Sequence, residues 1–427
     1  MQRLTTINEE IENLSKILND TWPPGQRQGA KPATRFDVAR QYYFNMTHVF
    51  FPDDFTNVRR HSEPELIDIM NIIDEIKAQT SSKHNSVLEH KGLVNGYRTF
   101  DLSRGMDYVI DMSLKDTSTG EKVIKRFQVC KPLGSVEFVP VPYVTESSRV
   151  NIILPIQETE IALAMEFLRN YNSLIMDRKE KTFLMPVLLY QYNSGSKGTN
   201  DVFGEVKNFV TKTASRYKND DAKIQWVSVR LPESSKPVYV EDVQVLNFAV
   251  VDLALKKIGL ESLCLILDVY CNITVDFLNR VRMNTIMNFQ IFSPIPFRQY
   301  DPKISQINIL DVNKNTGHFD NEEYKYISFY GKDYVYARKK CQNVIPLIRI
   351  DNDISNLLND DHIHKGHIFE MFIKYQEKLH CMRATEMSLK IKYHELNERN
   401  RMDLFLGNQV QLAKMLMSKK EIMDRMG

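Results

Sequence analysis

From Arg149 to Asp268 the chain alternates between two hydrophobic rhythms. Short runs rich in apolar residues at 150–156, 183–190, 224–231 and 263–267 predict strands, the last of them, wholly apolar, a buried one. Between them, 159–171, 202–217 and 243–257 repeat apolar residues three and four apart, as in Ile161, Met165 and Leu168, and predict helices. Strands alternating with helices of ten or more residues imply a largely parallel sheet. Upstream, Leu66, Ile69, Ile72, Ile73 and Ile76 share one face of a helix predicted over 64–78. Tyr108, Ile110, Met112 and Leu114 then alternate with Val109, Asp111 and Ser113, and a second run at 123–129 follows Thr119-Gly120, the pattern of a β-hairpin. Downstream, Ile368, Met371, Phe372, Tyr375, Leu379 and Met382 predict one long helix, and Val410, Ala413 and Met417 a last helix after Gly407. Leu4, Ile7, Ile11, Leu14 and Leu18 form a helical seam at the start, before a linker rich in Pro, Gly, Gln and Lys. The expected organisation is a helix and linker over 1–34, a small α+β region over 35–144, and an α/β domain over 145–427.

One strand end stands out chemically. The run at 263–267 stops at Asp268, and a helical pattern carrying Arg280 and Arg282 follows. Open α/β sheets collect ligands outside the carboxyl ends of their strands, and a carboxylate there with arginines nearby suits a metal-chelated diphosphate. A divalent ion with several oxygen ligands needs more than one side chain, whereas Asp268-Val269-Tyr270 offers a single carboxylate. The competing role for Asp268 is to cap the helix that follows, and for the two arginines to form surface ion pairs.

Composition narrows the classes. The 427 residues are 43% hydrophobic, enough for a real core, and 56 basic against 54 acidic side chains leave a charge of +2 with no nucleic-acid footprint. Five cysteines without C-x-x-C spacing argue against a zinc site or a disulfide scaffold, leaving one or two bridges open. Asp360-Asp361-His362-Ile363-His364 and His367 form an isolated cluster, where zinc sites use two separated pairs. Asn13, Asn19, Asn45 and Asn272 lie in glycosylation sequons. No apolar run approaches the length of a membrane span. No Gly-rich phosphate loop, Ser-His-Asp order or His-Glu-x-x-His motif is present, so those hydrolase and kinase classes fall away.

Several ordered blocks carry a more specific signal. They are Gly96-Tyr97-Arg98-Thr99-Phe100-Asp101, Arg104-Gly105-Met106-Asp107-Tyr108, Pro142-Tyr143-Val144-Thr145-Glu146, Phe277-Leu278-Asn279-Arg280-Val281-Arg282-Met283-Asn284, Phe292-Ser293-Pro294 and Gln299-Tyr300-Asp301-Pro302. Together they resemble the C-terminal transferase region of the chondroitin synthase family. The resemblance implies a GT-A-like nucleotide-sugar transferase domain that uses Mn²⁺ and a UDP-sugar to extend a chondroitin chain in the Golgi, with a membrane anchor expected upstream of this stretch. It also implies an Asp-x-Asp metal triplet, which reads Asp268-Val269-Tyr270 here. A Trp-Gly-x-Glu-Asp-type block supplying the general base is matched by Gly366, His367 and Phe369, with Glu370 displaced, and a late metal-binding histidine is matched by Tyr393 and His394. On that basis Asp268, Arg280 and Arg282 are the candidate nucleotide-sugar ligands, Asp268 and His394 the candidate metal ligands, and Glu370 the candidate base. With half the triplet and the base replaced, the expectation is a subunit with little transfer of its own that supports a chondroitin synthase partner. The alternative is an active transferase using Asp268 with Glu370 or His394.

Overall fold

The computed structural model describes residues 40–51, 58–83, 88–134, 147–233, 245–358 and 367–394, less positions 103, 306, 307, 314, 322 and 377, together with the isolated positions 38, 142 and 144. The seam at 4–18, the linker after it, the cluster at 360–364 and the helix expected after Gly407 lie outside the described residues. The chain divides into two units, Met1–Val139 and Pro140–Gly427.

In the first unit, β1 (Tyr42–Phe44), β2 (His48–Phe50), β3 (Val58–Arg60), β4 (Leu88–Asp101), β5 (Gly105–Asp116) and β6 (Lys122–Pro132) form an antiparallel sheet in the order β3-β2-β1-β4-β5-β6. Helix α1 (Glu63–Lys83) covers it. Ile69, Ile72, Ile73 and Ile76 meet Tyr108, Ile110, Met112 and Leu114 in one buried cluster, joining the helical stripe to the alternating strand face read from the sequence. The β5–β6 turn is held by Asp116 Oδ1, which accepts from the Ser118 and Thr119 amides, and by Gly120 at φ +76°.

The second unit begins with the alternation expected: β7 (Val150–Gln157), α2 (Ile161–Tyr171), β8 (Thr182–Tyr190), α3 (Gly204–Arg216), β9 (Lys223–Ile224), β10 (Val227–Arg230), α4 (Leu246–Ile258) and β11 (Leu263–Ile266). β10, β8, β7 and β11 are parallel neighbours. Every β7 residue is buried, because α2 and α3 cover one face of the sheet and α4 the other. The second half adds β12 (Cys271–Asn272), α5 (Val275–Asn284), β13 (Gln290–Gln299), β14 (Gly317–Phe319), β15 (Ile327–Tyr330), α6 (Gly331–Cys341), α7 (Ile368–Tyr375) and β16 (His380–Ile391). The full order is β10-β8-β7-β11-β15-β13-β16-β12. β15 runs antiparallel to both β11 and β13, so the sheet is mixed where the sequence pattern suggested a largely parallel one.

The helix expected to run through Met382 stops at Tyr375. Leu379 ends the turn that follows, and Met382 faces Phe292 across a parallel pairing of β16 with β13. Four residues of strand spaced two apart and four of helix spaced three or four apart can share apolar positions, and pairing decides between them. A buried ion pair ties the layers below the sheet. Arg338 on α6 donates to both oxygens of Asp252 on α4 and to the Ile345 and Pro346 carbonyls, and Tyr334 donates to Asp252 at 2.8 Å.

Candidate functional site

Asp268 lies just past the finishing end of β11, 6% exposed. Helix α5 is capped by Thr274, whose Oγ1 accepts from the Phe277 amide at 3.2 Å, so Asp268 is released from that duty. Its own hydrogen bonds come from two directions. Oδ1 accepts from the Tyr270 amide at 3.1 Å and the Cys271 thiol at 3.2 Å. Oδ2 accepts from the Tyr326 hydroxyl at 2.7 Å and pairs with Lys325 Nζ at 2.7 Å.

Strand direction explains this meeting. β15 is antiparallel to β11 with Ile327 opposite Ile266, so the residues entering β15 sit beside those leaving β11. Lys325 and Tyr326 are delivered directly against Asp268 across 58 positions of sequence. The side chains of both pair members are nearly enclosed, Lys325 at 14% and Asp268 at 8% exposure. Burial pushes the Asp268 carboxyl upward, but Lys325 and the Tyr326 hydroxyl outweigh it and hold the group well below the usual carboxylate range. Burial and the neighbouring Asp268 charge in turn push the Tyr326 phenol and Cys271 thiol far up, so both stay protonated donors.

His394 reaches the same place by another pairing. β12 pairs with the last residues of β16, Cys271 opposite Ile391, and the Lys392 amide donates to the Tyr270 carbonyl. The chain leaving β16 therefore lays His394 on Tyr270, ring centroids 3.6 Å apart and 17° from parallel. Burial pushes His394 down to about 4, against the opposing pull of Asp268, so the ring is neutral at pH 7. Arg298 on β13 stands nearby between Asp320 at 2.7 Å and Glu323 at 3.0 Å, and the Glu323 carboxylate also accepts from the Lys325 amide.

The other expected ligands go elsewhere. Arg282 is 3% exposed, and its guanidinium donates to the Ser148 carbonyl at 2.9 Å, the Lys181 carbonyl at 3.1 Å and Asn279 Oδ1 at 2.6 Å. Ser148 and Lys181 lie within two residues of the starts of β7 and β8, so Arg282 pins the starting ends of parallel strands while Asp268 sits past a finishing end. The periodicity of α5 does not reveal which pole of the sheet each of its polar side chains will face. Arg280 pairs with Glu386, whose side chain is 3% exposed in β16. Glu370 is exposed in the first turn of α7, 3.4 Å from Lys374. The structure thus brings Asp268 and His394 together and assigns Arg280, Arg282 and Glu370 other contacts.

A divalent cation was expected at Asp268 and His394. A carboxylate has about four lone-pair sites, and four donors already occupy them, one carrying a full positive charge. No group of three His, Cys, Asp or Glu side chains able to hold a metal ion occurs among the described residues. The donor set present does not fit Mn²⁺. Lys325 and Tyr326 were missed from sequence, although the Tyr324-Lys325-Tyr326 run before an apolar strand marked a basic residue entering the sheet.

A family model described as chondroitin N-acetylgalactosaminyltransferase matches residues 1–404. The chain belongs to that family. Chondroitin sulfate synthase 2 of Mus musculus is 29% identical over 446 residues, covering 98% of this chain and 54% of the mouse protein. The human chondroitin sulfate glucuronyltransferase is 25% identical over 456 residues, covering 97% of this chain and 56% of the relative. The chain therefore spans about half the length of the curated relatives it matches. The mixed sheet with helices on both faces is an α/β domain, the class expected from the sequence. A solved galactosyltransferase, LgtC, aligns with 63% of this chain and 95% of its own at a TM-score of 0.29 and 9% identity, too slight a likeness to argue from. All five cysteines are free thiols. No helix among the described residues is long and apolar enough to cross a membrane.

Proposed function

We propose that this chain serves chondroitin backbone synthesis in the Golgi lumen as a subunit with little or no transfer activity of its own, associated with a chondroitin synthase that supplies the catalysis. The observation that carries this reading is the Asp268–Lys325 pair. Relatives named as chondroitin synthases and a glucuronyltransferase support the pathway, and the loss of a free carboxylate at the strand end supports the lack of independent turnover. A missing metal forfeits several kcal/mol of leaving-group stabilisation, and a missing base costs about 10²–10⁴-fold in rate. Both losses together leave transfer by this chain near background.

Its role is then physical: an intact transferase scaffold that holds a synthase partner and the growing chondroitin chain. Labelled UDP-N-acetylgalactosamine and UDP-glucuronic acid, supplied with Mn²⁺ and a chondroitin acceptor, test it with the chain alone and with a synthase. The expected result is polymer only with the partner, in larger amount than the partner makes unaided. Turnover by this chain alone that disappears in Asp268→Ala overturns the proposal.

A further inference from the structure

At the starting ends of β7, β8, β9 and β11, the pole opposite Asp268, the second unit has a cavity of about 640 Å³. Three cations, Arg149, Lys223 and Lys257, line it against one acid, Glu261. Phe183 and Tyr330 give it apolar and aromatic wall. Arg149 contributes an orphan donor: its Nε is buried without a hydrogen-bond acceptor, while Nη2 makes only a long 3.4 Å contact to the exposed Asp221. Arg149 lines the cavity with its side chain 38% exposed, so an incoming acceptor can reach it. The size, the aromatic wall and a few convergent polar groups are those of a ligand pocket.

We infer that this cavity binds an acidic oligosaccharide, with the carboxylate of a hexuronate on the Arg149 fork and the sugar rings against Phe183 and Tyr330. The inference rests on the chondroitin reading above for the identity of the glycan. The Arg guanidinium suits a planar two-oxygen anion. A phosphate would fit the same cations, but the negative helix end at the cavity opposes any anion and a doubly charged one most. The helix end reaching the cavity is the carboxyl end of α4, at Lys257 and Ile258, where the dipole is negative. Phosphates prefer the opposite end of a helix, and this cavity offers no glycine-rich amide cradle. Because the pocket and Asp268 lie at opposite poles of the sheet, glycan held here does not reach Asp268. That is the arrangement a chain-retaining subunit needs.

Titration calorimetry on the full chain distinguishes the possibilities, using an unsulfated chondroitin hexasaccharide, its carboxyl-reduced counterpart, UDP and inorganic phosphate. The hexasaccharide binds and the reduced form binds at least tenfold more weakly. Arg149→Gln lowers hexasaccharide affinity by roughly tenfold, the scale of one charge-assisted hydrogen bond, and Arg149→Lys by less, since charge remains and the fork is lost. Unchanged melting of both variants separates this from misfolding; should Arg149→Gln melt early, Lys257→Gln at the rim gives the same readout through a loss of about threefold. Equal binding of the reduced sugar, unchanged affinity in the variants, or competition by phosphate or UDP as effective as by hexasaccharide overturns the inference. The two readings fail separately. Partner stimulation without hexasaccharide binding removes the pocket alone, and independent UDP-sugar turnover with Arg149-dependent glycan binding removes the helper-subunit reading alone.

Discussion

Lys325 Nζ lies 2.7 Å from Asp268 Oδ2, with both side chains nearly enclosed. A covalently attached cation thus stands against the carboxylate that the sequence offered as a metal ligand.

Removing that lysine should uncover a metal ligand. Lys325→Ala leaves a buried unpaired carboxylate, and breaking such a pair costs about 3–5 kcal/mol. Mn²⁺ should recover part of this loss, because a ligand that binds only the folded state at 100 times its Kd adds about 2.7 kcal/mol. Thermal melting with and without Mn²⁺ checks it: the variant shifts upward and the parent chain does not. Equal shifts in both would show that the parent site already takes the ion.

Acid should weaken the fold through His394 before it touches Asp268. The folded ring titrates near 4, below the ordinary value of about 6.5, so between those values the unfolded chain binds the extra proton and stability falls as pH drops. At about 1.4 kcal/mol for each pH unit of difference, the loss approaches about 3.5 kcal/mol once pH is below 4. Urea melts at pH 7, 5.5 and 4 should show it, and His394→Phe, which keeps a ring on Tyr270, should flatten that interval.

Arg282 should behave as a structural residue. Its guanidinium satisfies carbonyls at the starts of β7 and β8, so Arg282→Met leaves those acceptors unpaired and lowers stability by about 2–3 kcal/mol. Binding of UDP to whatever extent the parent binds it should be unchanged in the folded variant, measured by calorimetry well below the melting temperature.

Arg338 and Asp252 should be coupled. Arg338→Leu strands a buried carboxylate whose pKa burial already raises, at a cost of about 3–5 kcal/mol. Asp252→Leu added to Arg338→Leu should cost less than the two single changes summed, and a double-mutant cycle by denaturant melting measures the difference.

Much of the scaffold was legible in the sequence, for local reasons. β7, β8 and α2 emerge within two residues of the apolar runs that predict them, since a strand covered on both faces must be apolar throughout and a helix must keep its stripe. Asp268 was legible as well, because a charge that abruptly ends a buried run has to sit at a sheet edge. Which edge each other polar residue faces was not, since α5 can turn Arg282 toward the strand starts without any change in its own periodicity.

The sequence by itself determined an alternating α/β scaffold and a lone carboxylate at a strand end, because periodicity and burial act over neighbouring residues. Tertiary structure alone decided what that carboxylate meets. The antiparallel entry of β15 brings Lys325 and Tyr326 to Asp268, and the exit of β16 brings His394 onto Tyr270. Those meetings depend on strand direction and register between segments far apart in the chain, and no local pattern encodes them.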